Sequence, residues 1–188
     1  MRAMQWCWRT PPMAATKVSF WLLPAEPDRV FFQETIKTLA HAYDAPVFTP
    51  HVTLYSGMCA AHENPEDILD WASRGVQGFA LRVDTILYTE AFTKTLFVQL
   101  LPAAVLRDLA ENIRQRCAPP SAYVLDPHLS LIYKTMCEPE QRRLVTTLRL
   151  PSDTIFFDEV CAMATPNATQ TREDVENWKV LCVKKLSA

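Results

Sequence analysis

The sequence predicts an α+β fold of two similar lobes, related by a pseudo-twofold and facing a central cleft. Three observations predict it. Short runs with a two-residue apolar period alternate with longer runs of helical period. The order strand, helix, strand, helix, strand in the first half recurs approximately in the second, with one strand added. A six-residue phrase also occurs twice, as Pro50-His51-Val52-Thr53-Leu54-Tyr55 and as Pro127-His128-Leu129-Ser130-Leu131-Ile132. Each copy lies on the strand between two helices, and no other sequence repeat links the halves.

The elements follow in order. Residues 17–23 read as a strand, with Val18, Phe20 and Leu22 alternating against Lys17, Ser19 and Trp21. Pro24 and Pro27 end it. A helix over about 28–43 carries Phe32, Ile36, Leu39 and Tyr43 on one stripe, with His41 off that stripe in the last turn. Pro46 and Pro50 lead into the first motif strand, and His62 falls in an exposed connector over 60–63. Asn64-Pro65-Glu66-Asp67 combines a capping side chain, proline at the first helical position and acids in the first turn, so a helix starts there and Gly75 stops it. Residues 79–87 and 95–101 read as strands joined by a loop over 88–94. A helix over about 103–116 carries Leu106, Leu109, Ala110 and Ile113, and Pro119-Pro120 breaks it before the second motif strand. Pro139, Leu144, Val145 and Leu148 mark a last helix with Arg142, Arg143 and Arg149 on its solvated face. Residues 155–163 and 178–184 are closing strands, with a long polar loop, a candidate flap, over 165–177. The domain reading is an N-terminal tail over 1–16 and a single bilobal domain over 17–188.

Composition narrows the function. The chain is 49% hydrophobic and 21% charged, enough apolar residue to bury a core and too little charge for a disordered chain. A formal net charge of −2 argues against a broad electrostatic footprint for extended nucleic acid, while a small anion held by local donors stays compatible. No apolar run is long enough for a membrane span, and the tail with Trp6 and Trp8 has no signal-peptide core. A cytoplasmic monomer is expected. The cysteines are widely spread without a C-x-x-C pair, so zinc is not expected and reduced thiols are the default. The sequon Asn167-Ala168-Thr169 is expected to be silent.

The repeated phrase carries the chemistry. Side chains alternate faces along a strand, so His51 and Thr53 share one face while Val52 and Leu54 share the other. His128 and Ser130 share a face in the same way against Leu129 and Leu131. A lone His-x-Thr is most simply a packed or surface histidine. Two copies facing one cleft supply two imidazoles and two hydroxyls, a set that suits a phosphodiester. One imidazole takes a proton, the other gives one, and the hydroxyls hold the phosphoryl oxygens. One neutral and one charged imidazole imply a bell-shaped pH profile with limbs at about pH 6–8. No Asp or Glu recurs at a fixed offset in both motifs, so neither a carboxylate pair nor a metal triad is indicated, and no cofactor is expected.

With both motifs in hand, the chain resembles the two-histidine phosphoesterase superfamily, whose signature is two His-x-Thr/Ser tetrads. Within it the chain is most similar to the cyclic phosphodiesterase family. The likeness rests on Val18-Ser19-Phe20-Trp21-Leu22-Leu23-Pro24, on Pro50 through Leu54, on Pro127 through Tyr133, and on Trp178-Lys179-Val180-Leu181, and it covers about residues 17–187. It implies a bilobal enzyme, two lobes of antiparallel sheet with helices outside, that opens cyclic phosphates without a metal. The substrates implied are ADP-ribose 1″,2″-cyclic phosphate, a by-product of tRNA splicing, and nucleoside 2′,3′-cyclic phosphates. The products are ADP-ribose 1″-phosphate and nucleoside 2′-phosphates. By motif position His51 and His128 carry over as the acid/base pair, Thr53 and Ser130 as phosphate-binding hydroxyls, and Tyr133 as a further phosphate contact. An ideal strand puts Tyr133 on the face opposite His128, so the strand must end or bulge there, or Tyr133 is core. Trp21 is a candidate to stack on a base or ribose, against a plain core role. Two rivals remain. One is an RNA 2′,3′-cyclic phosphodiesterase acting on RNA ends, which the charge and Tyr133 disfavour. The other is a catalytically silent nucleotide-binding module, which has no need of the intact histidine pair.

Overall fold

The computed structural model describes residues 16–60 and 62–187. The tail expected over 1–16 lies outside the described residues except for Thr16, which opens the first strand. The elements are β1 (Thr16–Pro24), α1 (Asp28–Tyr43), β2 (Val52–Cys59), α2 (Pro65–Ala72), β3 (Phe79–Tyr88), a 3₁₀ turn (Phe92–Lys94), β4 (Leu96–Leu100), α3 (Ala104–Arg116), β5 (His128–Ile132), α4 (Glu138–Thr147), β6 (Thr154–Ala164), α5 (Arg172–Glu176) and β7 (Lys179–Lys185).

Local chemistry accounts for the boundaries. Phe32, Ile36 and Leu39 are the buried stripe of α1, which ends where Asp44 turns into the left-handed region at φ 49°. The Asn64 side chain accepts the Glu66 amide at the start of α2, with Pro65 just inside. That helix stops at Ala72, before the expected Gly75, which sits in the following turn at φ 72°. Pro139 occupies the first turn of α4, and Arg142, Arg143 and Arg149 are exposed. The stretch expected as one long loop over 165–177 contains α5. Its start is a capping box in which the Thr171 side chain accepts the Asp174 amide and Asp174 accepts the Thr171 amide.

The strands form one antiparallel sheet in the order β1-β2-β5-β4-β3-β6-β7, and β1 also pairs with β6. Six strands therefore close a ring, with β7 outside it. β6 joins the two halves: one edge pairs with β1, and the other pairs first with β3 and then with β7. One half is β2-β1-β6-β7 and the other is β5-β4-β3-β6. In each half the motif strand pairs antiparallel with the strand that precedes it across a helix, β1 with β2 and β4 with β5. The expected pseudo-twofold is this correspondence. The two motif strands then meet at a single pair, Val52↔Leu129.

One core serves both halves. Val52 and Leu54 of β2, Leu129 and Leu131 of β5, Phe20 and Leu22 of β1, and Leu96 and Val98 of β4 belong to the same buried cluster, with Leu106, Leu109 and Ile113 of α3 packed against them. Full burial of each such side chain is worth roughly 1.5–3 kcal/mol, so the apolar face of each motif strand is fixed strongly and its polar face is fixed with it.

Candidate active site

The alternation read from the sequence sets the site. Val52, Leu54, Leu129 and Leu131 are at most 1% exposed, which turns His51, Thr53, His128 and Ser130 to the other face. All four line one cavity of about 290 Å³. The pair Val52↔Leu129 sits at the centre of both motifs. Continuing that antiparallel register by one residue each way sets His51 across from Ser130 and Thr53 across from His128. The two imidazoles are then diagonal neighbours across the strands, on positions roughly 7–8 Å apart.

Both rings are held alike. His51 Nδ1 lies 2.6 Å from the Thr49 carbonyl oxygen, and His128 Nδ1 lies 2.7 Å from that of Asp126. A carbonyl only accepts, so each Nδ1 carries its proton and donates it, and in the neutral ring Nε2 is left as an acceptor. The backbone two residues upstream thus fixes the tautomer in each motif.

Their surroundings differ. His51 is 7% exposed and stacks face to face on Trp21, with ring centroids 3.7 Å apart and planes at 10°. Burial pushes its pKa down to about 4, the Thr49 hydrogen bond opposing the shift and nearby His128 adding to it. His128 meets Phe97 edge-on, with centroids 5.4 Å apart. Burial also lowers the His128 pKa, while the Asp126 carbonyl and carboxylate oppose the shift and Lys94 adds to it. The Asp126 carboxylate lies 3.8 Å from His128 Nδ1 and binds Lys94 and Gln99. Burial pushes Asp126 up, but Lys94, Gln99 and His128 outweigh it and hold the carboxyl below its usual range.

The hydroxyls differ too. The Thr53 hydroxyl has no hydrogen-bond partner among the described residues, whereas Ser130 Oγ donates to the Thr93 carbonyl at 2.8 Å. Ser130 therefore offers a ligand its oxygen lone pairs, or its proton after rotation. Tyr133 joins the cavity because β5 ends at Ile132, which frees the next residue from strand alternation. Its ring stacks on Phe48, with centroids 3.8 Å apart. Burial pushes its phenol well up, the neighbouring Ser130 hydroxyl partly offsetting this, so it stays protonated as a donor. Trp21 lines the cavity floor but is 2% exposed with a face taken by His51, so it offers a base or ribose little area. His41 and His62 are exposed and outside the cavity.

Sequence reasoning missed part of the wall. Tyr123 stands in the irregular segment between α3 and β5, where no periodicity signals a role. That segment is fastened to β2: Ser121 Oγ donates to the Ser56 carbonyl at 2.6 Å, and Tyr123 OH donates to the Thr53 carbonyl at 2.9 Å. Gly57 faces this crossing, where a Cβ would sit 3.0 Å from the Tyr55 ring and hydroxyl and 3.2 Å from the Ser121 Cβ. Trp178 forms another wall, edge-on to Trp21 at 5.1 Å and to His51 at 6.0 Å. It is positioned by α5, whose Val175 packs with Ile36, Phe48 and Tyr133 and whose Arg172 pairs with Asp44 at 2.6 Å. The Thr171–Asp174 spacing was the available signal for that helix. Lys17 and Ser19 also line the cavity from the strand face they share with Trp21.

Comparison with known proteins bears on the family and the fold. Residues 16–186 match the family described as cyclic phosphodiesterase-like protein. A curated relative, the cyclic phosphodiesterase of Arabidopsis thaliana, is 23% identical over 174 residues, spanning 90% of this chain and 94% of the relative. Among solved structures, apo LigT from E. coli has a TM-score of 0.56 at 19% identity, covering 93% of this chain and 99% of that one. A structure described as a phosphoesterase reaches 0.59 at 18% identity, covering 92% and 99%. The last two likenesses concern the fold, which is that of the two-histidine phosphoesterases. The duplicated motif, the paired imidazoles and the family match over nearly the whole chain lead to one conclusion: the chain belongs to the cyclic phosphodiesterase-like family of the two-histidine phosphoesterases, hydrolases of phosphodiesters.

Proposed function

We propose that the protein hydrolyses a cyclic phosphate carried on a ribose, without a metal, using His51 as the base and His128 as the acid. The substrates on this reading are nucleoside 2′,3′-cyclic phosphates and ADP-ribose 1″,2″-cyclic phosphate, opened to the nucleoside 2′-phosphate and to ADP-ribose 1″-phosphate. The observation that carries it is the diagonal pair of imidazoles set by Val52↔Leu129, each with Nδ1 bound to a carbonyl and Nε2 free for proton transfer.

For a 2′,3′-cyclic phosphate, His51 Nε2 takes a proton from water as the water oxygen attacks phosphorus. The bond from phosphorus to the 3′ oxygen breaks, and His128 Nε2–H protonates that oxygen. A 2′-phosphate and a free 3′ hydroxyl result, and proton exchange with solvent resets both rings. Burial against Trp21 supports the neutral, basic role of His51. The Asp126 carboxylate beside His128, joined by the substrate's own anion, supports the protonated role of His128. Thr53, Ser130 and the protonated Tyr133 bind the phosphoryl oxygens, and Trp21 acts by holding His51 rather than a nucleobase. Among the described residues no group of three or more His, Cys, Asp or Glu side chains could hold a metal ion. The like-folded LigT has been crystallised with 3′-AMP and with ATP, ligands of the size proposed.

Incubation with adenosine 2′,3′-cyclic phosphate, followed by phosphorus NMR, tests the reading. Adenosine 2′-phosphate is the expected product. A 3′-phosphate product, or no turnover by wild type, overturns it.

A further inference from the structure

The cavity extends beyond the two motifs along β1. Trp21 pairs with Thr53, Ser19 with Ser56, and Lys17 with Met58, so the side chains of β1 lead away from the imidazoles. Lys17 and Trp21 are four residues apart, about 13 Å along a strand. Lys17, Ser19 and Trp21 all line the same cavity. Among the described residues no Asp or Glu lines it, and Lys17 is the only lysine or arginine that does.

The ammonium is held in place and only partly used. Lys17 Nζ donates to the Asn167 carbonyl at 2.9 Å, and the Lys17 carbonyl accepts the Thr165 amide at 3.0 Å. The segment after β6 is thereby tied to β1, and its Thr165 and Thr169 line the cavity beside Lys17. An ammonium has three N–H donors, and among the described residues only this one bond and no carboxylate engages them. Partial burial lowers the Lys17 pKa, a cost that a bound anion would reverse.

From this arrangement we infer that Lys17 is a specificity residue, which binds a second phosphoryl group on the substrate whose cyclic phosphate sits between His51 and His128. A 5′-phosphate or pyrophosphate on the same nucleoside supplies such a group. The hydroxyls of Ser19, Thr165 and Thr169 surround that end of the cavity as further hydrogen-bonding groups. The inference deepens the proposed function and rests on it for the placement of the cyclic phosphate. It singles out doubly anionic substrates over a nucleoside that carries the cyclic phosphate alone.

The test compares adenosine 2′,3′-cyclic phosphate bearing a 5′ hydroxyl with the same compound bearing a 5′-phosphate. In wild type, kcat/KM is expected to be about tenfold higher for the 5′-phosphorylated compound, the worth of a charge-assisted hydrogen bond in a half-buried site. The ratio falls to about one in Lys17→Met and stays high in Lys17→Arg, whatever either variant does to turnover of the 5′-hydroxyl compound. Thermal melting verifies that both variants fold. A wild-type ratio near one, or a ratio kept in Lys17→Met, overturns the inference. If wild type turns over neither compound, the hydrolase reading fails on its own. Calorimetric Kd values for the two compounds then decide on Lys17 by the same ratio.

Discussion

Trp21 and His51 lie as parallel plates, 3.7 Å between ring centroids, while the corresponding pair in the other half, Phe97 and His128, meets edge-on. The correspondence is one of register: Trp21 pairs with Thr53 and Phe97 with Ser130. The pseudo-twofold therefore places an aromatic ring against each imidazole but not the same contact. A stacked face shuts water away from His51, and an edge leaves His128 open to Asp126. Near-symmetric strands thus set the two histidines in different surroundings, as distinct acid and base roles would use.

The motif side chains set the first expectation. His51→Ala and His128→Ala each lose at least about a hundredfold in kcat, the usual worth of a general acid or base. Thr53→Ala and Ser130→Ala lose about ten- to a hundredfold, for one hydrogen bond to a charged oxygen. His41→Ala and His62→Ala, both exposed, keep the wild-type rate. Steady-state kinetics on adenosine 2′,3′-cyclic phosphate checks all six, and a control that matched a motif variant would displace the assignment.

The pH profile follows from burial. With His51 near pH 4 and His128 also lowered, the bell in kcat/KM shifts acidward of the limbs expected from unperturbed histidines. Its acid limb reports His51, and its alkaline limb falls below about pH 6.5, the ordinary histidine value. Bound phosphate favours the imidazolium, so the alkaline limb in kcat stands at higher pH than in kcat/KM. Trp21→Phe uncovers His51 and moves the acid limb upward. An acid limb that did not move would separate Trp21 from the acidity of His51.

Stability of the ligand-free protein carries the same signature. A histidine whose folded pKa is depressed is protonated more readily in the unfolded chain. From about pH 6.5 down to about 4 the unfolded state therefore binds more protons, and stability drains as pH falls through that window. At pH 5 the loss relative to pH 7 is on the order of 2 kcal/mol. Urea unfolding at both values should give this slope in wild type and a smaller one in His51→Gln.

Metal and salt provide the last expectation. Proton transfer between two imidazoles needs no divalent ion, so turnover survives excess EDTA. Loss of turnover restored by a divalent ion would reject the mechanism. One or two neutralised charges give a shallow dependence of kcat/KM on salt, whereas a substrate read along an RNA backbone gives a steep one. A steep slope with a preference for oligonucleotide ends would point to the RNA-end reaction.

Much of this was legible in the sequence because it follows from periodicity. Alternation alone put His51 with Thr53 and His128 with Ser130, and the buried partners Val52, Leu54, Leu129 and Leu131 enforce it. Element order revealed the duplicated halves. Nothing in the strand pattern decided Tyr133, because its position depends on β5 stopping at Ile132. The stack of Trp21 on His51 joins residues thirty apart through the β1–β2 register, which a bulge between Phe20 and Trp21 shifts, and no local rule predicts that shift. Tyr123 was invisible for a similar reason: its tie to the Thr53 carbonyl spans seventy residues of chain. α5 was readable from Thr171 and Asp174, but five residues are too few for an apolar stripe.

The single rung between β2 and β5 has a mechanical consequence. Each imidazole takes its orientation from its own half, through a carbonyl two residues upstream, but the gap between them spans the seam. A change that tilts one half against the other leaves both local hydrogen bonds intact while altering that gap. Misplacement by about 1 Å can cost a hundredfold in rate. A substitution elsewhere in the chain that tilts one half against the other is therefore expected to lower turnover in a protein that still melts as a folded one.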